Sequence, residues 1–293
     1  YSSTMHAASS RLTLSIHLLI LFAFFLAFMS LALFIQYAWL GPSPSFVVPI
    51  SMSIRWMQLI TTIFSFFLPA LCWALLRRHD SPSPLATSFP PSAVWLLYGL
   101  GIGLLMAMPN AFLTELNSLL PQPNWAANMD KKIQVAAYAL LSVDTPQGFL
   151  VNTLVIAIAP AICEEFFFRG ALQHSLLRLL PQPHLAIWIG AVIFSLIHFQ
   201  LSGFLPRLVL GATLGYLAYY SKSIWPSIVM HFTNNLLAVS IYSIAFRNGN
   251  IEQFNHISPW ISCPSALISI FLIVSFFIRL DKKETLTRIS PLQ

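Results

Sequence analysis

The sequence predicts an all-α fold: a polytopic transmembrane helical bundle of about eight membrane helices around a polar cavity. Three observations predict it. Of 293 residues, 57% are hydrophobic and 8% charged, against about 25% charged residues in an ordinary soluble domain. Several apolar runs reach the roughly 20 residues that a helix needs to cross a hydrocarbon core of about 30 Å. A few acids, histidines and amides interrupt those runs at helical spacings. The formal charge of +6 comes from cations dispersed beside the apolar runs, which is the pattern of topology signals and not of a nucleic-acid stripe.

The first run, 12–36, is longer than the roughly 7–15-residue core of a signal peptide and lacks a small-x-small cleavage site, so it reads as a retained span. Further runs fall at 56–76, 92–113, 149–168, 185–199, 206–220, 224–245 and 261–279. The fifth and sixth are short, as tilted or re-entrant segments are. Between the third and fourth, Thr114 to Gly148 is the longest polar connection, carrying Pro121, Pro123, Trp125, Asp130 and Lys131. Lys131 to Leu141 reads as an interfacial helix. The whole connection reads as an outer linker, with a lid as the sharper alternative. Gly99/Gly103 and Gly211/Gly215 have the small-x-x-x-small spacing of closely packed helices. Cys72, Cys163 and Cys263 form no C-x-x-C pair and read as small hydrophobes. The expected division is 1–147, N-terminal helices and outer loop; 148–245, a core that carries the polar residues set in apolar runs; and 246–293, a last helix with a basic tail.

With the N-terminus inside, Arg11, Arg77, Arg78, Arg169, Arg178, Lys222, Arg279, Lys282, Lys283 and Arg288 lie on the cytoplasmic side. Arg55, Lys131, Lys132, Arg207 and Arg247 lie outside. Ten cations against five favour N-in and C-in.

The segment Ile156–Arg169 holds Glu164, Glu165 and Arg169 in otherwise apolar sequence. Each costs about 2.5–3.5 kcal/mol at mid-bilayer, so each needs a partner or a task. Glu165 and Arg169 are four apart with the acid first, the favourable order for an ion pair on one helix face. Glu164 is turned by about 100° and has no obvious local counter-charge, which makes it a candidate for exchanging a proton with water. Pro160 is expected to kink or break this helix and admit water. His198 and His231 also lie in apolar runs. His231 and Asn235 share a helix face and can present N–H donors toward one point, as an oxyanion clamp requires, while Asn234 is turned away. A carboxylate and a histidine that deprotonate water, together with such a clamp, amount to peptide hydrolysis.

Three motifs, E-E-x-x-x-R at Glu164–Arg169, F-x-x-x-H at Phe194–His198 and H-x-x-x-N at His231–Asn235, resemble the CPBP family. These are the type II CAAX prenyl endopeptidases and their bacterial relatives, the Abi or bacteriocin-processing proteins. The likeness covers roughly residues 148–245 in the family's order. It implies an intramembrane endopeptidase in which Glu164 and His198 activate water and His231 with Asn235 stabilises the oxyanion. Glu165 and Arg169 correspond to the motif's second acid and its arginine. The resemblance favours a metal-free mechanism. If zinc were present, Glu164, His198 and His231 would be its three ligands, with a fourth position open for water.

The simpler readings are a buried ion pair for Glu165–Arg169, a hydrogen-bonded core histidine for His198 and a helix-packing amide for Asn235. His17, His174 and His184 are assigned no chemistry. Phe166, Phe167, Phe168, Phe194 and Phe199 read as packing or lipid contacts before they read as a substrate groove, since the chain has 24 phenylalanines. The competing functions are a proton-coupled transporter, against which the lack of inverted repeats counts; haem ligation by His198 and His231, which leaves Glu164 and Asn235 idle; and a silent immunity or binding protein on the same scaffold. The expected partners are membrane lipids and a membrane-associated protein or peptide substrate, with no nucleic acid. The expected location is a bacterial inner membrane.

Overall fold

The computed structural model describes residues 2–41, 52–78, 85, 92–143, 145–249 and 259–289; of these, the side chains of 2–11, 259–261 and 284–289 are not described. Among the described residues the chain is helical, with no strand. The helices are α1 (Ser2–Leu40), α2 (Met52–Leu76), α3 (Ala93–Leu105), α4 (Ala107–Ser118), α5 (Asn124–Leu141), α6 (Pro146–Leu179), α7 (Pro183–Leu196), α8 (Phe204–Ser221), α9 (Trp225–Arg247) and α10 (Pro259–Ile289).

The expected polytopic bundle is present, and the count of eight spans is refined. Among the described residues six helices are long and apolar enough to cross a bilayer, and α3 with α4, bent by 41° at their junction, would make a seventh. The fifth apolar run forms α7, whose 14 residues reach only about 21 Å. Its two ends nevertheless meet opposite ends of α8. His184 lies 3.0 Å from the Tyr216 hydroxyl, and Ser195 donates to the Phe204 carbonyl at 2.8 Å. α7 therefore runs antiparallel along α8. The polar connection is also more structured than expected. α4 continues to Ser118, and the helix expected from Lys131 begins at Asn124.

Local chemistry sets the ends of the central helices. Thr145 caps α6 by accepting the Gly148 N–H at 3.1 Å, with Pro146 in the first turn, where a missing N–H costs nothing. Lys222, in the left-handed region at φ 56°, ends α8, and Pro226 sits in the first turn of α9. Inside α6 two stretches widen to π-helix, Thr153–Ile158 and Phe166–Gln173. Pro160 does not break the helix as expected. The widening just before it absorbs the missing donor, with Ala159 N–H bonding five residues back to the Leu154 carbonyl.

Both glycine pairs pack as their spacing predicts. Gly99 abuts the Pro226 carbonyl, and a Cβ on Gly103 would lie 2.8 Å from the Met230 carbonyl oxygen, so α3 and α9 meet backbone to backbone. Gly211 lets α8 approach Ala191 and Phe194 of α7, and Gly215 faces Gln173 of α6. The core beside this contact is aromatic. Phe167 packs on Phe25 at 5.5 Å between centroids and Phe168 on Phe194 at 4.9 Å, with Trp73 also buried. Each such tilted or edge-on pair adds about 0.5–1.5 kcal/mol beyond area burial. Of the candidate groove aromatics, Phe167, Phe168 and Phe194 are therefore core, while Phe199 is exposed.

Candidate active site

The site forms where α6, α7 and α9 converge. The two π stretches of α6 flank a short α-helical turn, Ala159–Glu165, which carries both glutamates. Glu165 is fully buried and Arg169 nearly so. The expected ion pair is present, with Arg169 Nη1 donating to Glu165 Oε1 at 2.7 Å. Arg169 Nη2 donates to the Gly211 carbonyl at 2.8 Å, and the guanidinium carbon lies 4.9 Å from the Phe194 ring centroid. The close approach at Gly211 thus brings a backbone acceptor within reach of the arginine. One residue turn further on, Gln173 donates to the Gly215 carbonyl at 2.9 Å.

Glu165 is more than the partner of Arg169. His231 Nδ1 donates to the same Oε1 at 2.8 Å, and His231 Nε2 lies 4.0 Å from Glu164 Oε2. α9 brings the His231 ring to Glu164 across 67 residues of sequence, a distance along which helical register carries no information. An ionised carboxylate only accepts hydrogen bonds, so Nδ1 of His231 carries a proton and Nε2 is the nitrogen turned to Glu164. Glu165 Oε2 has no hydrogen-bond partner among the described residues.

His198 lies just past the end of α7 and is half-buried. Its Nδ1 donates to the Phe194 carbonyl at 2.7 Å, which leaves Nε2 as the basic nitrogen of the neutral ring. Its ring centroid is 5.1 Å from that of Phe194, and the His231 centroid is 6.1 Å from the same ring. Phe194 thus links the two histidines, and His198 makes no direct hydrogen bond or ion pair with Glu164 among the described contacts.

Asn235 donates through Nδ2 to the Ile156 carbonyl at 3.2 Å. Ile156 is four residues before Pro160, so its carbonyl is the one whose α-helical donor the proline removes. Asn234, expected to face away, joins the same polar chain. It donates to Asn235 Oδ1 at 3.3 Å and accepts from Asn110 Nδ2 at 2.7 Å.

Several polar residues at or behind the site were not singled out by sequence. Asn110 and Asn117 lie on α4, Asp130 on α5, and Arg55 on α2 donates to Asn152 of α6 at 3.0 Å. Arg207 of α8 acts electrostatically on both Glu164 and Asp130. A polar residue inside or beside an apolar run was the available signal for Asn110, Asn152, Arg55 and Arg207, whereas Asn117 and Asp130 lie in the polar connection, where no such contrast marks them. Among the described residues no group of three or more His, Cys, Asp and Glu side chains could hold a metal ion. The optional zinc set of Glu164, His198 and His231 is accordingly not gathered in this structure, and His198 instead bonds the Phe194 carbonyl. The three cysteines are free.

Residues 146–237 match the family model described as Rce1-like, type II CAAX prenyl endopeptidase. No curated protein and no solved structure matches the chain.

Proposed function

We propose, from the match of residues 146–237 to the Rce1-like model of type II CAAX prenyl endopeptidases, that the protein hydrolyses a peptide bond of a membrane-associated substrate, with Glu164 and His198 activating water and His231 and Asn235 stabilising the oxyanion. That match supports an intramembrane CAAX-type protease in general. The division of labour among the residues is our own reading.

The observation that carries it is the opposite hydrogen bonding of the two histidines. His198 directs its Nδ1 N–H at a neutral carbonyl and keeps a lone pair on Nε2, which suits a group that accepts a hydrogen bond from the attacking water and orients it while Glu164 takes the proton. His231 gives its Nδ1 proton to a carboxylate already shared with Arg169. An anionic acceptor suits a ring that is positively charged while it donates through Nε2 to a developing oxyanion. Asn235 has a second amide N–H for the same purpose once the first is spent on the Ile156 carbonyl. In this mechanism a water shared by Glu164 and His198 loses its proton to Glu164 and attacks the scissile carbonyl. The carbonyl oxygen takes the negative charge beside His231 and Asn235, and Glu164 returns the proton to the leaving amine. Glu165 and Arg169 hold His231 in orientation and touch no reacting atom.

The substrate is a prenylated CAAX-like protein or a bacteriocin-like peptide, met at the membrane plane. The remaining assignments in this reading are a catalytic core at 148–245, flanked by 1–147 and 246–293, and a bacterial inner membrane with both termini inside. The test is cleavage of bilayer-tethered peptides, one set prenylated and ending in a CAAX-type tetrad and one set unmodified. Glu164→Gln and His198→Ala should each lower kcat by about 10²-fold or more. Turnover by both variants at the wild-type rate would rule the site out, and chelator-sensitive turnover restored by zinc would rule out the metal-free route.

A further inference from the structure

Asp130 has no part in that mechanism, yet it is a buried acid, 4% exposed, on a helix outside the three that build the site. Its carboxylate accepts the Leu201 N–H at 3.1 Å through Oδ1 and the Ser202 N–H at 2.7 Å through Oδ2. Asn117, 2% exposed on α4, grips the same turn from the other side. It donates to the Leu201 carbonyl at 2.9 Å and accepts the Leu205 N–H at 2.8 Å. Ser195 fixes the Phe204 carbonyl at 2.8 Å, and Arg207 donates to the side chain of Gln200 at 2.9 Å and to its backbone carbonyl. These contacts cover the turn that begins one residue after His198.

The turn needs that much holding. Phe199 has φ 52°, a left-handed conformation that costs a residue with a Cβ about 1–2 kcal/mol. It is also 61% exposed, so its own side chain contributes little packing to pay for the backbone it adopts. Such a residue persists where the surroundings over-determine it. Here the surroundings are two buried side chains on α4 and α5, and the residue they constrain is bonded directly to His198.

We infer that Asp130, with Asn117, clamps the Phe199–Gly203 turn and is a positioning residue for the His198 imidazole. The connection between α4 and α6 is then part of the catalytic apparatus, acting through the His198 backbone without touching substrate. The inference rests on the reading of His198 as the group that works on water. A tie that merely joined α5 to the bundle would not require both carboxylate oxygens to fall on consecutive amides of this turn.

The test uses the full chain in lipid nanodiscs, with Asp130→Ala and Asp130→Asn. The second keeps one acceptor oxygen and the side-chain shape, and serves where the first does not fold. Hydrogen exchange should speed up at Leu201 and Ser202 by about tenfold or more in Asp130→Ala, as expected for loss of bonds to a charged group, with α9 unchanged and Asp130→Asn in between. On the prenylated peptide, kcat should fall by about tenfold or more while KM stays within about twofold, since a displaced His198 misplaces the attacking water and not the bound substrate. The rate at which diethyl pyrocarbonate modifies His198 should change in the same order. Unchanged exchange overturns the clamp; faster exchange with unchanged kcat and unchanged His198 modification overturns the positioning role. If the wild-type protein cleaves none of the peptides, the proposed protease activity fails, and the exchange and modification measurements still decide the clamp.

Discussion

Glu165 accepts from Arg169 and His231 on a single buried oxygen, and this one atom connects what sequence could read with what it could not. The arginine is four residues away, so register alone pairs it. The histidine is 66 residues away on another helix, so only packing does. Removing one member of such a group strands the other charge in a medium that cannot solvate it. Arg169→Met should therefore lower stability by about 3–5 kcal/mol, read as a drop in Tm in detergent, whereas Arg169→Lys keeps the charge but loses the second bond to the Gly211 carbonyl and should fall between. A variant as stable as wild type would contradict the structural role given to this pair. Glu164 is the opposite case. It was legible as a residue in need of a task, but its neighbour His231 was not, because nothing in a helical register shows which distant helix faces it.

At the scale of elements, α6 is organised around Pro160. The proline leaves the Ile156 carbonyl without its helical donor, the helix widens over Thr153–Ile158, and Asn235 fills the gap from α9. Pro160→Ala restores an N–H that can compete for that carbonyl. It should leave Tm unchanged or raised, since proline inside a helix costs about 3 kcal/mol, while kcat falls by about tenfold or more as Asn235 loses its anchor. Full activity in this variant would separate Asn235 from the bulge. The helix contact α3–α9 makes a second prediction. Gly103→Val pushes against Met230 and Thr233, on either side of His231, and overpacking of this kind costs about 1–3 kcal/mol. Both Tm and turnover should fall, whereas Gly101→Val, with open space around it, should change neither. The proline and the glycines stood out in the sequence because each breaks a helical preference. The π widening did not, since it is a compromise reached between helices.

The whole molecule alters how the cations are weighed. Arg55, Arg77 and Arg169 are buried in the bundle, so they report packing at least as much as topology. With those three set aside, Arg11, Arg78, Arg178, Lys222, Arg279, Lys282, Lys283 and Arg288 still stand against Lys131, Lys132, Arg207 and Arg247. Cysteines introduced at Lys131 and Lys283 in a cysteine-free background should accordingly react with a membrane-impermeant reagent from opposite sides, Lys131→Cys from outside. Labelling of both from one side would reverse or break the proposed topology. The same scale explains why the segment from Asn117 to Asp130 read as a linker: its sequence is polar and punctuated by proline, and its grip on the turn after His198 exists only once α4 and α5 pack against the turn between α7 and α8.

By itself the sequence determined the membrane class, the helical fold, the order of the three motifs and the Glu165–Arg169 pair. Those follow from hydropathy and from contacts within one or two helical turns, which are properties of the chain taken locally. The tertiary structure decided which histidine meets which glutamate, what Asn235 holds, the direction of α7 and what lies behind His198. Each of these is a contact between helices far apart in sequence, set by backbone approaches at small residues and by buried polar groups finding the nearest available partner.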